Sequence, residues 1–389
     1  MSVRFIHTAD WQIGKPYGPI DSPDNQATAR QSRIDSIHKI GAMAAEHSAS
    51  FVVVAGDLFD SITPDRQTVH KTCKAVGEIG LPVYVIPGNH DHGGAGSVWH
   101  QPYFLQAREQ YAPNLRVLLG SDPVDAGDAV ILPCPLLRKQ ESMDTTSDLR
   151  HHDYTRHGDK VRIVLAHGSI QSFGGSDEDD IDGSKGAVNL IDIGQLPRSE
   201  IDYIALGDWH GAKKVADHAW YSGTHETDRF PKGQGYLSGH VLLVEASRSG
   251  QPVVTPARTT ELHWHVRTTE LRGEDSLNSL EQDVRALREG RVGKDLLKIE
   301  ITGALGITQM HRLREMVETW KADFLHLDVS NEVIAAPTEE EVIGLSTRPA
   351  DPITAAVASK LLEMAENVGV DAAIAKAALH ELHTALNSK

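Results

Sequence analysis

Five short clusters in this 389-residue chain carry side chains able to grip a hard cation. They are Asp10-Trp11-Gln12, Gly56-Asp57-Leu58-Phe59-Asp60, Gly88-Asn89-His90-Asp91, His167-Gly168 and Gly207-Asp208-Trp209-His210. Carboxylate and amide oxygens with imidazole nitrogens suit divalent ions of the Mg, Mn, Fe and Zn kind. The two cysteines, Cys73 and Cys134, make neither a disulfide framework nor a thiolate zinc motif. Any metal site must therefore be built from Asp, Asn, His and Gln.

Each cluster follows a short apolar run that reads as a strand: Val3–His7, Phe51–Ala55, Val83–Ile86, Arg162–Ala166 and Tyr203–Leu206. Open α/β sheets place their ligands at strand carboxyl ends. Singly, a Gly-Asp or Asn-His after a strand is ordinarily a capped turn. Five such clusters at one sheet edge form a convergence that core packing does not require. The glycines let the backbone turn sharply, so that the next side chain faces the edge. Between the strands, Asn25 to about His47 reads as helix, with Ile34, Ile37, Ile40 and Met43 at helical spacing. Thr63-Pro64 opens a second helix that runs through Val76. Near Gly235 the pattern turns to β, with His240–Glu245 an alternating strand.

These residues, in this order, resemble the calcineurin-like metallophosphoesterase superfamily, whose pattern is D-x-H, G-D, G-N-H-D, H, then G-H-x-H. Within it, the Thr8-Ala9-Asp10 lead-in, Gly56-Asp57-Leu58-Phe59-Asp60 and Gly223-Thr224-His225-Glu226 look like SbcD-type DNA repair exonucleases. The resemblance implies an α/β fold: a layered sandwich of two mixed β-sheets flanked by helices, then a small α/β capping domain and a helical C-terminal tail. It also implies two divalent ions about 3.5–4 Å apart that clamp the attacking and leaving oxygens of an in-line displacement. By the match, Asp57 would bridge both ions. Asp10 and His210 would hold the first, Asn89 and His167 the second. His90 matches the family's non-ligand histidine and would stabilise the transition state or protonate the leaving oxygen. Asp91 would orient it. Manganese suits such a donor set best, with Fe, Zn or Mg as alternatives.

Three positions depart from the pattern. Gln12 stands where D-x-H has histidine, Asp208 where G-H-x-H has its first histidine, and Asp60 where many SbcD-like enzymes have a histidine. Gln12 and Asp208 are expected in the metal shell as oxygen donors; the alternative is that Gln12 ligates nothing and one ion binds weakly. Trp11 and Trp209 flank the site, and either stack on a base or pack around the metals. His92, His151, His152 and His157 read as surface loop residues.

The bulk numbers bound the function. A net charge of −16 argues against a stand-alone tight DNA binder, because phosphate contacts come from Lys and Arg. The chain enters a strand-like run at once, so no secretory signal is visible and a cytoplasmic protein with reduced cysteines is expected. No apolar run is long enough to span a membrane. Three parts are expected: a catalytic domain over 1–258, a capping-like α/β domain over 259–335 and a helical extension over 336–389. In the second part, Leu262–Leu271, Leu297–Ile301 and Phe324–Val329 read as strands, with helices over about Ser276–Glu289 and Thr308–Lys321. Pro337 and Thr347–Pro352 read as linkers, and the Ile353–Leu386 tail is helical with a break near Gly369. The acidic run Gly174–Gly186 reads as a solvated loop.

The resulting expectation is a two-metal-dependent phosphodiesterase, a DNA exo/endonuclease acting in DNA repair. Its partners would be DNA, an SbcC-like coiled-coil ATPase docked on the C-terminal helices, and a second copy of the chain, with no membrane. The competing readings are a small-nucleotide phosphodiesterase or phosphatase, and a degraded enzyme that serves as a DNA-end-binding scaffold.

Overall fold

Strands buried on both faces explain the unbroken apolar runs, because a parallel sheet covered on each side exposes no polar face. The computed structural model describes residues 1–20, 22–170, 188–231, 236–248, 250–288, 293–335, 341, 346–347, 351–365 and 370–387. The acidic run Gly174–Gly186, Pro337, residues 348–350 and Gly369 lie outside the described residues. The chain divides into two compact units, Met1–Leu262 and His263–Lys389.

In the first unit, β1 (Ser2–Thr8) leads through α1 (Pro23–Glu46) to β2 (Val52–Val54), and α2 (Arg66–Glu78) leads to β3 (Val83–Val85). α3 (Pro102–Tyr111) then precedes β4 (Leu115–Val117). A second sheet begins with β5 (Val124–Ala126), β6 (Ala129–Cys134) and β7 (Val161–His167). The short pair β8 (Ser169–Ile170) and β9 (Leu190–Ile191) follows, then β10 (Tyr203–Gly207), β11 (Lys213–Ala216) and β12 (Ala219–Tyr221). The chain finally returns to the first sheet as β13 (His240–Ser247) and β14 (Val253–Arg258). The two six-stranded mixed sheets run β14-β13-β1-β2-β3-β4 and β11-β12-β10-β7-β6-β5. Strands β1 to β4 are mutually parallel, and so are β6, β7, β10 and β12.

Alternation along each strand sorts side chains into three apolar layers. Ile6, Val52 and Val54 face Ile37, Ile40 and Val76 of the helices. Phe5, Val53, Leu165 and Tyr203 meet between the sheets. Val164, Ala166, Ile204 and Leu206 pack outward against Leu149, Tyr154 and Leu196. α2 starts at Arg66 rather than at Pro64, because Asp65 Oδ1 accepts the Thr68 N–H at 2.8 Å and caps the helix there. Both cysteines are free and buried.

The second unit opens with a parallel sheet in the order β15 (His263–Leu271), β16 (Asp295–Leu305), β17 (His326–Asn331), with β18 (Ile334–Ala335) also paired to β16. Helices α4 (Glu274–Leu287) and α5 (Ile307–Asp323) connect the strands and bury Leu277, Leu280, Leu313 and Trp320 against them. Ala358 of α6 (Pro352–Ala365) and Leu379 of α7 (Val370–Asn387) cluster with Ile307 of α5. Among the described residues, no helix is long and apolar enough to cross a membrane.

Candidate metal centre

The carboxyl ends of both sheets deliver polar side chains to one place. Asp10 follows β1, Asp57 follows β2 and Asn89 follows β3; His167 ends β7, and Asp208 and His210 follow β10. His7 ties the sheets together behind them, with its ring nitrogens 3.0 Å from Tyr203 Oη and 3.2 Å from the Leu206 carbonyl oxygen. Burial lowers its pKa to about 3, so it stays a neutral crosslink.

The approach of the clusters is close. A Cβ on Gly56 would lie 2.1 Å from His167 Nδ1, and one on Gly88 would lie 2.1 Å from Asp57 Oδ1. Only glycine fits at either point. Asp10, Gln12, Asp57 and Asp208 all adopt positive φ, at 52°, 40°, 54° and 104°. Such backbone costs about 1–3 kcal/mol per residue and persists where surroundings over-determine it, typically at functional sites.

Buried Arg33 of α1 is one such determinant. It donates to the Asp10 and Trp11 carbonyl oxygens at 3.0 and 2.6 Å, and to Tyr17 Oη and Thr224 Oγ1 at 3.0 and 2.9 Å. A fifth bond reaches the Glu226 carbonyl oxygen at 3.3 Å. Five donors in one planar fork satisfy five acceptors gathered around the Asp10 turn. Sequence reasoning missed Arg33. Its signal was there: it shares a helical stripe with Ile37 and Ile40, where a charge has no business unless it is paired.

Ligand atoms of Asp10, Asp57 and His167 lie within 4.8 Å of one another, and all three residues are buried. His167 Nε2 is 2.7 Å from Asn89 Oδ1, 3.7 Å from Asp57 Oδ2 and 3.8 Å from Asp208 Oδ1. Asp208 Oδ2 accepts from Ser169 Oγ at 2.8 Å, and the Asp208 N–H donates to Asp10 Oδ1 at 3.1 Å. Burial pushes the Asp10 carboxyl well above its usual range; Asp57 and Asp208 push the same way, and His167 opposes them. Burial alone would lower the His167 imidazole, but Asp57, Asp10 and Asp208 lift it to about 9. Crowded, dehydrated carboxylates facing one imidazole form a donor set that fits divalent cations. Asp57, Asn89, His167 and Asp208 would hold one ion, with Asp10 and His210 placed toward another.

Other expectations meet the structure differently. Asp91 does not orient the His90 ring. Its carboxylate accepts the Gly88 N–H at 2.8 Å and the Phe59 N–H at 3.0 Å, which fixes two turns relative to each other. The His90 Nδ1 lies 3.1 Å from the Asp60 carbonyl oxygen, so Asp60 takes that part. A carbonyl only accepts, so Nδ1 carries hydrogen and Nε2 is the atom that can exchange a proton with substrate. Trp11 is wholly buried and donates to Thr8 Oγ1 at 2.8 Å, so it packs behind the site and cannot stack on a base. Trp209 is part-exposed, with Lys213 Nζ 4.6 Å above its ring and Tyr236 edge-on at 6.5 Å.

Gln12 does not offer its oxygen to the cluster. Lys15 Nζ donates to Gln12 Oε1 at 3.0 Å, and Gln12 Nε2 lies 3.4 Å from His210 Nε2. Lys15 and the fully buried Asp228 were also missed from sequence. Asp228 Oδ2 meets Lys15 Nζ at 2.9 Å and His210 Nδ1 at 3.0 Å. Burial would raise the Asp228 carboxyl, yet His210, Lys15 and Arg229 hold it well below its usual range. His152, in the loop between two 3-10 segments, stacks on His157 of the second with their Nε2 atoms 2.7 Å apart.

Two β-sheets converging on a carboxylate–imidazole cluster define a metal-dependent phosphoesterase. The chain belongs to the calcineurin-like phosphoesterase family, whose model matches residues 3–241. It is similar to the SbcD component of the nuclease SbcCD from Bacillus subtilis (strain 168), 24% identical over 351 residues that cover 80% of this chain and 83% of that protein. Its likeness to the SbcD component of the nuclease SbcCD from Escherichia coli (strain K12) is 23% over 253 residues, 57% of this chain and 60% of that one. The crystal structure of TT1561 of Thermus thermophilus aligns with a TM-score of 0.40 at 11% identity, over 67% of this chain and 100% of that one.

Proposed function

We propose that this chain is a phosphodiesterase that cleaves DNA during repair in the cytoplasm, with manganese as its preferred ion. The observation that carries the proposal is the joining of Asp10, Asp57, Asn89, His167 and Asp208 at one point, with half-buried His90 beside them. Divalent ions, when bound, supply the charge that stabilises an in-line displacement at phosphorus. The chain's own residues do the rest. Asp57, placed between the two groups of ligands, would serve both. His90 would pass a proton from Nε2 to the leaving oxygen. The part-exposed Trp209, with Lys213 above it, offers a surface on which a base can stack beside a phosphate. DNA as substrate is supported by the two relatives, both nuclease components by name.

In the same reading, residues 1–258 are catalytic, 259–335 form a cap, and 336–389 dock a coiled-coil ATPase. The exposed Ile353 and Val357 of α6 and Ile374 of α7 suit such docking. A second copy of the chain is a further partner. The test is manganese-dependent hydrolysis of labelled linear DNA, beside bis(p-nitrophenyl) phosphate and a phosphomonoester. Cleavage of DNA and diester supports the proposal. Cleavage of the monoester alone would replace it with a nucleotide phosphatase, and metal-independent DNA binding without turnover would replace it with a scaffold.

A further inference from the structure

We propose that Lys15 and Gln12 form a latch over one of the two metal positions, so that this centre holds one divalent ion tightly and the second only weakly. The proposal rests on the phosphoesterase reading above and concerns which half of that site is ready for an ion.

An ammonium can only donate. The Gln12 atom 3.0 Å from Lys15 Nζ is therefore the amide oxygen, which leaves the NH2 directed at His210 Nε2, 3.4 Å away. His210 Nδ1 is taken up by Asp228 Oδ2 and Arg229 Nη2, each 3.0 Å away, so Nε2 is the ring atom turned toward Gln12 and the site. The NH2 of Gln12 thus covers the atom that would hold the first ion. Both ends of the latch are anchored. Asp228 also binds Lys15 Nζ at 2.9 Å. The Gln12 main-chain N–H donates to the Asp57 carbonyl oxygen at 2.8 Å, and the Lys15 N–H donates to the Gln12 carbonyl oxygen at 3.1 Å. A dication at this position meets a blocked imidazole, an amide oxygen already engaged and a neighbouring positive charge.

The other half has carboxylates where the first half has an ammonium. His167 Nε2 faces Asn89 Oδ1, Asp57 Oδ2 and Asp208 Oδ1 within 3.8 Å. Asp208 brings a second carboxylate to that side, where the family pattern has a neutral histidine.

The experiment is titration of the metal-stripped full chain with manganese by calorimetry, with bound manganese counted after gel filtration. The proteins are the native chain, Lys15→Met, Gln12→His and Asp57→Asn. Lys15→Met keeps the methylene stem of a part-exposed side chain, and His210 and Arg229 still pair the buried Asp228. The native chain is expected to retain one ion per chain and to take a second at least about tenfold more weakly, the scale of one neighbouring charge in a partly screened site. Lys15→Met and Gln12→His should each tighten that second step by about tenfold and raise retained manganese toward two. Two equally tight steps in the native chain, or a second step unmoved in both variants, would overturn the latch while leaving the phosphoesterase reading intact. No manganese bound by the native chain would overturn that reading and the latch together.

Discussion

The main-chain N–H of His90, not its imidazole, donates to Asp57 Oδ1, at 2.9 Å. The contact ties two site loops through backbone, so the ring can be removed without disturbing the carboxylate. His90→Ala should bind manganese as the native chain does and lose about 10²–10⁴-fold in turnover, the usual worth of a general acid. Asp57→Asn keeps an acceptor for that N–H, and Asn tolerates positive φ. It should fold and lose metal. Calorimetric titration of the two variants checks the contrast, and equal metal loss in both would reject the proton-transfer role for His90.

Arg33→Met should destabilise the first unit by about 3–5 kcal/mol, because buried carbonyl and hydroxyl acceptors around Asp10 lose their donors. Arg33→Lys should not restore stability, since a compact ammonium cannot reach acceptors spread over five groups. Denaturant unfolding in chelator reads this directly; native-like stability in Arg33→Lys would mean that charge alone matters.

Gly88→Ala places a methyl group against Asp57 Oδ1 and against the Asp57 main-chain nitrogen, 2.7 Å away. The neighbour is backbone, so it cannot swing aside. Stability should fall by about 1–3 kcal/mol from overpacking, and manganese affinity by more than about tenfold. A variant with unchanged affinity would show that the Asp57 loop can shift without cost to the site.

Manganese affinity should rise with pH. With its pKa lifted to about 9, the metal-free His167 imidazole is protonated at neutral pH and must lose that proton to bind an ion. One displaced proton makes affinity climb roughly tenfold per pH unit until about pH 9. Calorimetry in two buffers of different ionisation enthalpy measures the proton released, and identical heats in both would contradict it.

Much of this architecture could be read from residues alone, for a physical reason. Strands covered on both faces must be apolar throughout, and their ends are marked where Gly-Asp and Gly-Asn turns begin. That is why β1, β2, β3, β7 and β10 were visible. β6 was passed over: Pro133 interrupts its ladder donors, which ordinarily demotes a run to an edge, yet it pairs with β7 on one side and β5 on the other. The meeting of the clusters at one sheet edge was readable too, but not side-chain direction. Asp91 turning to Gly88 and Phe59, Trp11 turning to Thr8, and Gln12 turning to Lys15 depend on loop geometry that no local spacing encodes. Arg33 and Asp228 act across 191 and 18 residues of sequence, on Thr224 and His210. Partners so far from the motifs they support leave no pattern in them.

The return of β13 to pair antiparallel with β1, Ser2 against Ser247 through His7 against Leu242, has a consequence for synthesis. Until residue 247 leaves the ribosome, the strand that carries Asp10 is an unpaired sheet edge, open to other chains. By then the segments bearing Asp57, Asn89, His167 and His210 have all emerged. A nascent chain therefore closes that sheet edge in one late step, after every segment that brings a candidate ligand is already made.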